Sequence, residues 1–199
     1  MLTNYDAKAV ADVMGIAFQE YQGRGPAGAV KPARHAKAAT SAEIGKFVIT
    51  IDHDSVRIVE ARTKRASGDL RNVRPASSVL IEKAVEKGLP RLALRSVAEQ
   101  IAGTDKAKVA SLEWGIVPKT TLERRAAQLS PLESERTERV ARLFVHARSA
   151  LGSEAEARAF MTTPHPQLDG RSPIDAAKTD LGTRRTEQIL NALEYGLAL

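Results

Sequence analysis

With 199 residues, 43% of them apolar, the chain is long enough for one or two domains with a packed core. The absence of cysteine excludes a disulfide framework and thiolate metal sites, and no apolar run approaches the ~18 residues of a membrane helix. Aromatic residues make up only 4%, so the core must come mostly from Leu, Val, Ile and Ala, which suits a mainly α-helical fold. No charged start followed by an apolar stretch marks a secretory signal, so a cytoplasmic protein is expected.

Residues 4–21 place Ala7, Val10, Val13, Met14, Ala17, Phe18 and Tyr21 at helical spacing, and one amphipathic helix is predicted there. Residues 22–45 are rich in Gly, Ala, Lys and Pro and read as a linker. The β-branched runs Phe47–Ile51 and Val56–Val59 flank Asp52-His53-Asp54-Ser55, for which a β-hairpin is the simplest account. Turn hydrogen bonding explains the Asp-His-Asp set better than metal ligation. Residues 62–76 return to Arg, Lys, Gly and Pro and read as a second linker. Residues 1–76 therefore form an N-terminal extension to which the residues themselves assign no function.

Residues 77–129 carry four short helical patterns. Gly88-Leu89-Pro90 ends the first, Gly103 ends the second, and Thr104-Asp105 caps the third. Gly115 offers the position tolerant of positive φ that a helix-turn-helix uses at its turn. Pro118 opens the fourth helix, Lys119-Thr120-Thr121-Leu122-Glu123-Arg124-Arg125. Trp114, just before that turn, reads as a core or helix-packing residue rather than a base contact. Residues 130–199 begin with Ser130-Pro131-Leu132-Glu133, a cap, a first-turn proline and a capping-box glutamate. A long helix follows, with Val140, Leu143, Phe144, Ala147 and Leu151 on one face, and Gly152 stops it. A helix over Glu154–Met161 leads into the corner Thr163-Pro164-His165-Pro166. Leu168-Asp169-Gly170 makes a tight turn, Ser172-Pro173 restarts a helix, Gly182 reads as a break, and the last helix runs to Gly196.

The charge is unevenly spread. Residues 1–75 hold 12 Lys and Arg against 8 Asp and Glu, residues 76–129 hold 9 against 6, and residues 130–199 hold 9 against 10. A basic part followed by a near-neutral one suits a nucleic-acid reader joined to a protein-binding module, although a solvated basic helix gives the same sum. In a helix-turn-helix the first residues of the recognition helix meet base edges and later cations reach phosphate. That points to Lys119, Thr120, Thr121, Arg124 and Arg125 as DNA contacts. Catalysis finds little support: His35, His53, His146 and His165 share no ligand-like spacing, and no phosphate loop or nucleophile elbow is present. Neither an enzyme nor a metal or other cofactor is expected.

The series Ser-Pro-Leu-Glu-Ser-Glu-Arg, Arg-Ala-Phe-Met-Thr-Thr-Pro-His-Pro-Gln-Leu-Asp-Gly-Arg-Ser-Pro-Ile-Asp, Thr-Asp-Leu-Gly and Leu-Glu-Tyr-Gly closely resembles the toxin-binding domain of Xre/MbcA/ParS-type antitoxins. Gly-Ile-Val-Pro-Lys-Thr-Thr-Leu-Glu-Arg-Arg before it resembles the Xre-like helix-turn-helix of that family. Phe160-Met161 stands where the family usually has Trp-Leu. The resemblance implies a partner, a RES-domain toxin that consumes NAD, bound by residues 130–199 of a homodimer that also holds its own operator DNA. It further implies that Glu194, Tyr195, Gly196, Leu197 and Leu199 obstruct the toxin's active-site entrance. The apolar, aromatic ending on its own suits filling a partner's groove, with Tyr195 as an anchor, the alternative being that it packs back on its own domain. Arg171 is a second toxin-contact candidate, unless it only satisfies loop carbonyls. The competing reading is a dimeric helix-turn-helix transcription factor without a toxin.

Overall fold

The computed structural model describes residues 5–20, 47–51, 56–60, 73–103, 105–124 and 128–196, and it is mainly helical. The first helix, α1 (Ala7–Met14), starts where the Asp6 carboxylate accepts the Ala9 N–H. It is shorter than the helix expected over residues 4–21. Gly15, at φ 65°, turns the chain left-handed, and Ile16–Glu20 continues as strand β1. Ile16 and Phe18 are both buried, a two-residue alternation that belongs to a strand.

Strands β2 (Phe47–Ile51) and β3 (Val56–Glu60) pair antiparallel, as the expected hairpin requires. The hairpin does not stand alone. β1 runs parallel to β2, and β4 (Val73–Arg74) pairs antiparallel with β1, giving the order β3-β2-β1-β4. β4 lies in the stretch read as a second linker. The linker at 22–45 and the Asp52–Ser55 turn lie outside the described residues.

Four helices follow: α2 (Ser78–Lys87), α3 (Arg91–Ala102), α4 (Lys106–Ile116) and α5 (Lys119–Arg124). Asp105 caps α4, its carboxylate accepting the N–H groups of Ala107 and Lys108. The expected turn at Gly115 is not there. Gly115 is helical, and the break falls at Val117-Pro118 instead, with Val117 extended at φ −129°. Trp114 is also not a core residue; it is 45% exposed.

The C-terminal helices are α6 (Pro131–Leu151), α7 (Glu154–Thr162), α8 (Pro173–Ala176) and α9 (Asp180–Glu194), with a 3-10 turn at Pro166–Leu168. The predicted capping box forms in full. Ser130 Oγ accepts from Glu133 N–H, and Glu133 Oε2 accepts from Ser130 N–H. Gly152 ends α6 in the left-handed region, as expected. Gly182, read as a break, is instead inside the first turn of α9.

α6 is the central pillar, packing against α1, α2, α3, α7 and α9. Its buried face, Val140, Leu143, Phe144 and Ala147, joins one apolar cluster that runs from Val10, Met14 and Phe18 through Leu94 and Val97 to Met161 and Leu190. Burying side chains of this size stabilises by about 1.5–3 kcal/mol each. The first helix and strand therefore share their core with the C-terminal helices.

Candidate functional site

The C-terminal surface is assembled around α9. Its N-terminus is seated by Thr179, whose Oγ1 accepts the Gly182 N–H at 3.1 Å. A Cβ on Gly182 would run into the Ala176 carbonyl, so this glycine lets α8 and α9 touch backbone to backbone. The loop before α8 is equally local in its causes. His165 Nδ1 accepts the Gln167 N–H, and the His165 backbone N–H donates to the Arg171 carbonyl, which closes the proline corner. Asp169 takes a left-handed conformation at φ 58° and gathers two arginines, Arg185 Nη1 at 2.9 Å and Arg171 Nη2 at 3.5 Å. Ser172 caps α8 and, with Lys178, hydrogen-bonds Asp175. The Lys178 bond, followed by Ser172, holds that carboxyl below the usual range.

Arg171 is thus half spent on its own loop: its Nε donates to the Leu168 carbonyl at 3.1 Å and its Nη2 faces Asp169 at 3.5 Å, with the side chain 42% exposed. At the far end of α9, Glu194 turns back toward α6, with Oε2 3.5 Å from His146 Nε2. Tyr195 ends the helix and is 65% exposed, and Gly196 follows in the left-handed region. Arg171 and the Tyr195 turn are the outward-facing members of the sequence-predicted set; Glu194 is engaged internally. Leu197 and Leu199 lie outside the described residues.

The second surface is formed by α4 and α5. Lys119, Thr120 and Arg124 are exposed, and Thr121 is half-buried with its N–H donating to the Pro118 carbonyl. Arg125 lies outside the described residues. Buried Leu122 anchors α5, and Arg91 Nη1 donates to its carbonyl at 3.2 Å. The charges divide sharply between the two surfaces. From α7 to α9, Arg158, Arg171, Lys178, Arg184 and Arg185 each face a carboxylate. On α4 and α5, Lys106, Lys108 and Arg124 make no ion pair among the described residues, and Lys119 has only a loose one, 3.8 Å from Glu123. On α3, exposed Arg95 pairs with Glu99 at 3.1 Å, and burial pushes the Glu113 carboxyl up while Arg95 and Arg91 oppose it.

A third polar group was not legible in the sequence. Tyr5, from the N-terminal segment, meets Glu138 of α6. Arg142 lies 3.8 Å from Glu138 and 3.5 Å from Glu187 of α9. Nothing in the local pattern around Tyr5 signals so distant a partner. This group joins the N-terminal segment, α6 and α9.

Among the described residues no helix is long and apolar enough to cross a membrane. Residues 146–196 match the family of the antitoxin Xre/MbcA/ParS C-terminal toxin-binding domain. The matched span opens at His146 inside α6, takes in α7, the Asp169 loop, α8 and α9, and closes at Gly196, so the His146–Glu194 contact joins its two ends. No curated protein matches the chain.

Proposed function

We infer that this chain is an antitoxin of the Xre/MbcA/ParS type and that it works by stoichiometric occlusion: residues 130–199 bind a RES-domain toxin and the Tyr195 turn blocks the entrance through which the toxin takes up NAD. The observation that carries this reading is the exposed Tyr195 at the end of α9, in a domain matched to a toxin-binding family. A large, half-apolar side chain held out at a helix end is a suitable hot-spot anchor, and an aromatic anchor can fill a partner's pocket at low entropic cost. Arg171 supplies a cationic flank on the Asp169 loop. Any NAD consumption belongs to the toxin, and this chain acts by binding alone.

The same reading gives α4 and α5 a second task, binding operator DNA and repressing the antitoxin's own operon. The cations Lys106, Lys108 and Arg124, which make no ion pair among the described residues, against the paired cations of α7–α9, support it, because phosphate contact needs cations that are not already neutralised. A homodimer would present two such surfaces to the half-sites of a two-fold symmetric operator.

The test is co-expression with the adjacent open reading frame, which on this reading encodes the RES-domain toxin, with growth and co-purification as readouts. Growth rescue by the full chain, and its loss on Tyr195→Ala with the complex weakened, is the expected result. Rescue undiminished by Tyr195→Ala and by truncation after Tyr195 would move the block elsewhere on the domain. Absence of any complex would overturn the RES assignment.

A further inference from the structure

We propose that Trp114 belongs to the nucleic-acid contact, its indole N–H and the Lys119 ammonium together gripping one backbone phosphate at the turn between α4 and α5. The proposal rests on the DNA-binding reading of these helices. Trp114 is the single tryptophan of the chain. It stands 45% exposed on α4, whose Val109, Glu113 and Ile116 are buried. Its indole N–H finds no hydrogen-bond acceptor among the described residues. The Lys119 Nζ sits 4.9 Å from the ring centroid, over one face.

Each of these facts narrows the occupant. An exposed indole alone would suit an apolar pocket on a protein partner. Here an ammonium covers one face, and burying it against apolar surface would strip its water without supplying an anion. The ring and the ammonium instead form a two-donor edge, one neutral N–H and one cation, with no acceptor of their own. A phosphodiester offers two anionic oxygens to such an edge. The cation–π contact also restrains the long Lys119 side chain in advance, so less freedom is lost when the phosphate arrives. Lys106, Lys108 and Arg124, without an ion pair among the described residues, extend the positive field on both sides of the turn. Glu123, loosely engaged with Lys119 at 3.8 Å and exposed, is easily exchanged for the stronger anion.

Because the chain has one tryptophan, its emission reports this position without a label. The full chain is titrated with a duplex from the region upstream of its reading frame and with a random duplex of equal length. A phosphate contact is independent of base sequence, so both duplexes are expected to change the emission, less so as salt rises. Trp114→Phe, checked for an unchanged circular dichroism spectrum, should weaken both complexes by roughly tenfold, the weight of one hydrogen bond to a charged group. Lys119→Met should lower the slope of log affinity against log salt by about one. Duplex binding by the wild type with unchanged emission, and equal affinity for Trp114→Phe, would overturn the proposal and leave DNA binding standing. Emission that instead follows protein concentration without DNA would overturn it in favour of a contact between copies. No binding of either duplex by the wild type would overturn the DNA-binding reading itself.

Discussion

The Tyr5 hydroxyl donates to Glu138 Oε1 at 3.1 Å, a bond between residues 133 positions apart. Burial is the main cause that raises the Glu138 carboxyl above its ordinary range, and Arg142, then the Tyr5 hydroxyl, pull it back. Burial, then Glu138, raises the Tyr5 phenol far above its ordinary value, so it remains a donor. A carboxyl whose folded pKa exceeds its unfolded one favours the folded state at low pH and loses that contribution as pH rises through the folded value. Tyr5→Phe removes a group that moderates this loss. Its cost, about 1–2 kcal/mol in urea unfolding near pH ~7, should shrink toward pH ~4, near the ordinary Glu value, where the carboxyl is neutral. A cost independent of pH would detach Tyr5 from Glu138.

Ser134 is a second tie across the core. It is fully buried, its Oγ accepting the Leu89 N–H at 2.7 Å and donating to the Ser130 carbonyl at 2.8 Å. Ser134→Ala leaves the Leu89 amide without a partner, and chemical denaturation should show a loss of about 1–3 kcal/mol. A loss below about 0.5 kcal/mol would mean that water reaches that amide.

At Gly182 one added methyl group meets the Ala176 backbone. Gly182→Ala should destabilise the fold by about 1–3 kcal/mol, although alanine favours helix at an open site. Thermal unfolding decides: an unchanged or higher melting temperature would show that α8 and α9 can part without penalty.

Tyr195 and Glu194 are adjacent but differently placed. Tyr195→Ala should leave stability within about 0.5 kcal/mol, while weakening toxin binding by about 2 kcal/mol, roughly thirtyfold in calorimetry. Glu194→Gln acts on the His146 contact and should alter toxin affinity less than about threefold. The reverse ranking would place Glu194, not Tyr195, at the toxin.

Where one side chain and its nearest backbone decide the outcome, the sequence was readable. Ser130 with Glu133, Asp105, Ser172-Pro173 and Gly152 all act where their spacing predicts. The family of the last residues was readable for a related reason, since its motif sits in caps and corners. Reading failed where tertiary contact decides. Met14, Ile16 and Phe18 satisfy a helical and an alternating pattern over so short a span, and only Gly15 and pairing with β2 separate them. Glycine's tolerance of positive φ points to a turn at Gly115, yet one glycine inside a helix costs only about 1 kcal/mol relative to alanine. The placement of Trp114 failed because it hangs on Lys119, beyond the turn.

The first helix packs onto α2, α3 and α6, and Val10, Met14 and Phe18 complete the same cluster as Leu94 and Leu190. A chain started at residue 77 would leave that cluster with an open trough. The unit that can be grafted, swapped between relatives or inherited intact is therefore not the C-terminal domain with α2 to α5 alone. It must carry the opening twenty residues with it, as an arch carries its keystone.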